Sequence, residues 1–393
     1  MQEVWVPETF RERPYAREHF IKIVRWAQNN HGFYQKFHVD ISKPLPIIKR
    51  AHIQQNNDLL LNGHKARGHT SGSTSMPVKV SWQAERHRME NVDTQRLKQW
   101  YGGQLTPMKI VALATHEANE RTLEVDSPLE KQWEFIENQH AQFGANSLIS
   151  YPTNLERLCH YALDKNLTLP FIKRVTAMSE TYDAHMDGLL KQVFPNAVAI
   201  VTYSSVECGT IAIRCPHNPD NYHVMAHKLG VEILNEQDQP CALGELGQVV
   251  ITDYFNHHSS LIRYALGDLA EPAVCDCGKI PFPAITRIAG KMRGLLRRAD
   301  GSQMLFTSLS STFRDSPEIS QFQVVQTQLH MFTVNAVLRA NQPSAEFEAR
   351  IIVRFQQEFG TDTEVSFNYM DAVPRSPGGK YFAAICAIPE AAV

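Results

Sequence analysis

Between residues 84 and 101 a polar stretch is punctuated by Met89, Val92, Leu97 and Trp100, which approximate one face of a helix, and Gly102-Gly103 supplies a stop. The spacing predicts a helix over 84–101. Just upstream, Pro77 turns a run of small hydroxylated residues into a strand-like segment. Apolar, β-branched runs then recur at Lys109-Ile110-Val111-Ala112-Leu113, Val198-Ala199-Ile200-Val201-Thr202, Thr210-Ile211-Ala212-Ile213 and Gln248-Val249-Val250-Ile251-Thr252, separated by helix-like stretches such as 154–164. This alternation predicts an α/β fold with buried sheets covered by helices. After a Gly/Lys/Arg cluster at 290–293, residues 294–303 are polar and turn-rich, and a separate β/α pattern follows. The boundary is therefore expected near Arg293. It divides a large N-terminal domain of helix-covered β-sheets (1–292) from a small, mobile α+β domain (293–393).

Composition narrows the classes. A chain of 393 residues exceeds what one hydrophobic core usually supports, which fits two domains. Lys plus Arg at 39 against Asp plus Glu at 41 leaves no basic surplus, arguing against a nucleic-acid partner. No run of 18 apolar residues occurs, and the start Met-Gln-Glu-Val-Trp-Val-Pro lacks a basic region followed by an apolar core, so a cytoplasmic location without membrane insertion is expected. Seven cysteines, an odd number spread over a long chain, do not form a disulfide framework.

Four groups of residues carry candidate chemistry. Thr70, Ser71, Gly72, Ser73 and Thr74 form a phosphate grip in which Gly72 permits close backbone approach while hydroxyls and amides donate to phosphoryl oxygens. Asp268 ends a Tyr-x-x-Gly-Asp turn, where a lone carboxylate suits two ribose hydroxyls. Lys380 lies in a Pro-Gly-Gly turn, so a mobile C-terminal domain could bring its ammonium to a reacting phosphate and withdraw it afterwards. Cys215-Pro216-His217, His223 and Cys275-Asp276-Cys277 could close a tetrahedral structural zinc site of three thiolates and one imidazole. The favoured set is Cys215, His223, Cys275 and Cys277, with His217 competing for the fourth position.

The Thr70–Thr74 run, Tyr203-Ser204-Ser205-Val206-Glu207, Tyr264-Ala265-Leu266-Gly267-Asp268, Gly290-Lys291-Met292-Arg293 and Arg375-Ser376-Pro377-Gly378-Gly379-Lys380 follow one another in an order that resembles the AMP-forming adenylating superfamily. Within it the chain looks like the phenylacetate-CoA ligase branch. The resemblance spans residues 69–380. It implies ATP as substrate, bound by Thr70 to Thr74, Tyr203, Ser204, Asp268 and Lys291. It also implies magnesium at Glu207, catalysis by Lys380 with Glu207, and a hinge at Arg293. Some branch members carry zinc in the Cys215–Cys277 region. The chain departs from the family pattern at Ser75 and Met76, where a glycine and often a lysine stand, so no ammonium serves the loop unless Lys79 compensates. Val206 replaces a threonine, Lys291 replaces an arginine, and Arg293 departs from the closest branch.

The resemblance places the acyl pocket near the strand before Glu207, with Tyr151, Ser179, Glu180 and Ser205 as substrate candidates. Their mixture of aromatic and small polar groups suits an aryl or arylacetic acid. The expected reaction is ATP-dependent activation of a carboxylic acid as acyl-AMP with release of pyrophosphate, then transfer to a thiol such as coenzyme A. An amine or a carrier protein in a biosynthetic pathway is the alternative acceptor. The departures at Met76, Val206 and Lys291 keep a non-catalytic nucleotide-binding homologue as the reading from another class. A homodimer is common in the branch.

Overall fold

The computed structural model describes residues 3–36, 40–70, 77–102, 105–113, 116, 118–291, 295–314, 316, 318–339, 345–375 and 381–388. Two compact units divide the chain, Met1–Ile288 and Ala289–Val393.

The first unit opens with α1 (Glu8–Arg11), α2 (Pro14–Asn30), α3 (Gly32–Lys36), α4 (Arg50–Gln54) and α5 (Asn57–Leu60). Proline at the start of α2 costs no hydrogen bond there, and Phe20, Ile23, Val24 and Ala27 give it one buried face. A short antiparallel pair, β1 (Gly68–His69) and β2 (Lys79–Val80), precedes α6 (Ala84–Tyr101). The α6 range matches the predicted helix, and Gly102 ends it at φ +76°. Its packing differs from the expected apolar face. Met89, Val92, Leu97 and Trp100 are only half-buried, whereas the fully buried residues are Arg86 and Asp93, one heptad apart on one side.

β3 (Pro107–Val111), β4 (Thr122–Glu124), α7 (Leu129–Phe143), β5 (Ser147–Ser150), α8 (Pro152–Asp164), β6 (Arg174–Met178), α9 (His185–Val193) and β7 (Val198–Ser205) build a parallel half-sheet. Trp133 and Ile136 of α7, Leu155 and Leu158 of α8, and Leu190 of α9 pack on Ile110, Leu148 and Val175 of its strands. β8 (Gly209–Arg214), β9 (Asn221–Val224), β10 (Leu229–Leu234), β11 (Gly247–Asp253), β12 (Tyr264–Ala273) and β13 (Ala284–Lys291) extend the same sheet. Its order is β10-β11-β12-β13-β9-β8-β7-β6-β5-β3-β4. The first five helices share a second core with this half through Phe10, Phe20, Ile53 and Leu60 against Ile211, Val231, Ile251 and Tyr264. Pairing changes from parallel to antiparallel between β7 and β8.

The expected turn at Tyr264–Asp268 is instead a bulge inside β12. Gln248 opposes Leu269 and Val250 opposes Ala265, so Leu266, Gly267 and Asp268 together face Val249 alone. Gly267 absorbs the irregularity at φ +81°.

The second unit begins with a hairpin, β14 (Leu295–Arg297) and β15 (Gln303–Leu305), then α10 (Thr307–Arg314), β16 (Ile319–Gln328), β17 (Met331–Leu338), α11 (Ala345–Phe359), β18 (Glu364–Tyr369) and β19 (Ala384–Cys386). Its four-stranded sheet runs β18-β17-β16-β19. Phe347, Ile351, Phe355 and Phe359, at helical spacing on α11, pack with Val324, Phe332 and Val334. Among the described residues no helix is long and apolar enough to cross a membrane.

Candidate active site and metal centre

Because β5, β6 and β7 run parallel, their carboxyl ends lie on one edge, where open α/β sheets commonly form ligand crevices. That edge receives Tyr151, Ser179 with Glu180, and Ser204 with Ser205. Tyr151 is 1% exposed, and its hydroxyl accepts from the Ala112 amide at 3.3 Å. Ser179 holds a left-handed φ of +67°. Glu180 accepts from the Thr153 amide at 3.0 Å and hydroxyl at 2.6 Å, placing a carboxylate at the positive end of α8. Ser205 Oγ accepts from the Cys208 amide at 3.1 Å and closes the turn into β8. His116, beyond the end of β3, lies edge-on to Tyr151 with ring centroids 6.4 Å apart.

The turn after β7 presents Glu207, 3% exposed, and the β12 bulge presents Asp268, 5% exposed. The two segments exchange partners. Tyr203 on β7 donates to Asp268 Oδ2 at 2.8 Å, and Tyr264 on β12 donates to Glu207 Oε1 at 3.3 Å. Burial, reinforced by the facing carboxylate, pushes both phenols well above their ordinary value, so each remains a donor.

A third strut comes from α4. Arg50 Nη1 lies 3.4 Å from Glu207 Oε1, and Arg50 Nη2 donates to Thr70 Oγ1. Thr70 Oγ1 also accepts from the Val78 amide at 3.0 Å. The start of α4 is anchored to β12, since Ile48 N donates to Arg263 O at 2.8 Å and Ala265 N to Ile48 O at 2.9 Å. Thr70 therefore begins the expected phosphate loop beside Glu207. Ser71, Gly72, Ser73, Thr74, Arg293 and Lys380 lie outside the described residues, and Lys291 is the last residue of β13.

Beneath Glu207 lies a buried ionic network. Arg86 donates to the Cys208 carbonyl, to Asp253 Oδ2 at 2.5 Å and to Glu90. Lys228, 0% exposed, reaches Glu90 at 2.6 Å and Asp93 at 2.5 Å. Although burial works against it, Lys228 and Arg86 hold the Glu90 carboxyl below its ordinary value. Gly209, at φ +62°, leaves room for this carboxylate: a Cβ there would sit 2.0 Å from Glu90 Oε1. Neither Arg50 nor this network was anticipated from the sequence. The i, i+4 spacing of Arg86 and Glu90 was the available signal, whereas Arg50 stands 157 residues from Glu207 in no local pattern.

The donor atoms of Cys215, His223, Cys275 and Cys277 all lie within 4.8 Å of one another. Cys215 and Cys275 Sγ are 3.8 Å apart, and Cys277 Sγ is 3.6 Å from His223 Nε2. A zinc tetrahedron with ~2.3 Å bonds has sulfur–sulfur edges of about 3.8 Å, so the donor set fits that ion. His223 Nδ1 lies 3.2 Å from the Phe282 carbonyl, which accepts only from an N–H, so the Nε2 lone pair is directed at the thiols. Cys215 Sγ accepts amides from His217 and Asn218, both at 3.4 Å. Amides of Lys279 and Ile280 pull the Cys277 thiol below its ordinary value, while burial pushes Cys275 up to about 12. The His217 side chain is exposed. The cluster ties the end of β8 and β9 to the β12–β13 loop.

This architecture is that of the AMP-forming acyl-CoA ligases, a large sheet-and-helix unit with a smaller α+β unit. A 2-hydroxyisobutyryl-CoA ligase in its postadenylation state superposes at a TM-score of 0.73, with 12% identity, over 97% of this chain and 90% of that one. The anthranilate CoA ligase AuaEII gives 0.59 at 13% identity, over 80% and 64%. The amide bond synthetase McbA from Marinactinospora thermotolerans gives 0.56 at 13% identity, over 79% and 65%.

Residues 296–386 match the family described as CapK C-terminal domain. Protein CapK of Staphylococcus aureus is 21% identical over 247 residues, 61% of this chain and 52% of that protein. The chain thus spans about half the length of this curated relative.

Proposed function

We propose that the chain is an adenylate-forming ligase: a carboxylic acid attacks the α-phosphorus of ATP to give acyl-AMP and pyrophosphate, and the acyl group then passes to a thiol, coenzyme A in the favoured case. The observation that carries this reading is the crossed pairing of Tyr203 with Asp268 and Tyr264 with Glu207 beside Thr70, at the carboxyl edge of a sheet with the ligase fold. Asp268, oriented by Tyr203, accepts the ribose hydroxyls. The Thr70–Thr74 run donates to the phosphates, and Lys380, in the second unit, neutralises charge as the carboxylate attacks. Glu207 offers magnesium a hard oxygen, and the bound ion would neutralise phosphate charge.

Tyr151, Ser179, Glu180 and Ser205, at the ends of neighbouring strands, favour an aryl or arylacetic acid. Arg293 is the proposed hinge of a mobile C-terminal domain. Zinc at Cys215, His223, Cys275 and Cys277 is structural, since all four positions are filled by protein. The amide bond synthetase among the structural neighbours supports an amine as the second acceptor reading.

The test is pyrophosphate release with Mg-ATP across aryl, arylacetic and short aliphatic acids, comparing the wild type with Lys380→Ala. Release that depends on one acid and falls by orders of magnitude in the variant is expected. ATP binding with no release for any acid favours the non-catalytic homologue.

A further inference from the structure

The Thr70–Met76 segment offers hydroxyls and amides but no charged side chain, and Met76 cannot supply a cation. Thr70, the first residue of that run, lies across the Arg50 guanidinium from Glu207, a buried carboxylate. Lys79 does not fill the gap within the described contacts: it is exposed on β2, and Val80 holds the buried side of that strand. Among the described residues, the cation bonded to both Thr70 and Glu207 is Arg50.

We propose that Arg50 is a phosphate-binding residue of the nucleotide site, supplying from α4 the positive charge that the loop lacks. The proposal rests on the nucleotide reading above. Three features carry it. The guanidinium bonds Thr70 on one side and Glu207 on the other, so it lies between the first residue of the proposed phosphate run and the carboxylate proposed for magnesium. Its side chain is 31% exposed while the Glu207 side chain is 4% exposed, so the cation is the accessible member of the pair. Two residues before it, the Ile48 backbone bonds Arg263 and Ala265, which anchors the start of α4 to the strand that carries Asp268. A planar guanidinium has five donors, enough to keep the Glu207 contact and engage a phosphoryl oxygen.

The experiment measures equilibrium binding of ATP, AMP and adenosine in EDTA to wild type, Arg50→Met, Arg50→Lys and the double variant Arg50→Met/Glu207→Gln. The double variant separates loss of a phosphate contact from the effect of leaving Glu207 unpaired. Arg50→Met is expected to weaken ATP roughly ten- to a hundredfold, AMP less and adenosine not at all. Arg50→Lys should fall between, and the double variant should not recover ATP affinity. Equal losses for all three ligands, unimpaired ATP binding by Arg50→Met, or recovery in the double variant would overturn the proposal. A wild type that binds none of the three would instead overturn the nucleotide reading itself and this inference with it.

Discussion

His31 joins α2 to α3 and is 0% exposed, with the ring of Tyr34 at 5.4 Å and that of Trp26 at 6.0 Å. Its Nε2 accepts from the Ser260 amide at 3.4 Å, while Tyr34 donates to Ser260 O and accepts from Ile262 N. Together they tie the N-terminal helices to the segment between β11 and β12. Burial lowers the His31 pKa to about 4, against backbone contacts with His258 and Leu60 that favour the charged ring and with help from His64 and His257.

The unfolded chain takes up a proton below pH 6.5 that the folded chain refuses until about pH 4. The stabilising effect is therefore fully present above pH 6.5 and is lost as pH falls through that window. With 1.36 kcal/mol per pKa unit, the loss is about 3 kcal/mol in all and roughly 2 kcal/mol by pH 5. His31→Gln keeps a polar group and removes the titration. Urea unfolding followed by tryptophan fluorescence reports on the first unit, because Trp5, Trp26, Trp82, Trp100 and Trp133 all precede its end at Ile288. The wild-type advantage over His31→Gln should shrink by roughly 2 kcal/mol between pH 7.5 and 5. A constant difference, or an NMR titration of His31 centred near its ordinary value, would refute the argument.

Gly209→Ala strains a positive φ and drives a methyl against the Glu90 carboxylate, whose flexible end must shift away from Gly209; roughly 1–3 kcal/mol of stability should go, read by the same unfolding assay. Lys228→Met takes the buried ammonium away from Asp93 and from Glu90, which keeps Arg86, and is expected to cost about 3–5 kcal/mol, whereas Lys22→Met, which breaks a surface pair with Glu18, should cost less than about 1 kcal/mol. Purified protein should carry one zinc per chain by elemental analysis. Cys277→Ser should release it and lower the melting temperature, and His217→Ala should leave the metal content unchanged.

What sequence alone determined is what short-range pattern encodes. The 84–101 helix with its Gly102 stop, the strand runs before Glu207 and around Val249, and the alternation of helices with sheet follow from periodicity and turn chemistry. The pairing of Cys215 and His223 with Cys275 and Cys277 was legible because few residue types have that ligand chemistry. The tertiary structure decided the rest. Apolar periodicity could not disclose that α6 buries Arg86 and Asp93, because a charge is tolerated there only where Asp253 at the end of β11 and Lys228 in the β9–β10 turn arrive to neutralise it. Nor does any local rule place Arg50 beside Glu207 or cross Tyr203 and Tyr264 onto each other's acids. Strand order and the β12 bulge bring those groups within hydrogen-bond reach, and such register is a property of the assembled sheet.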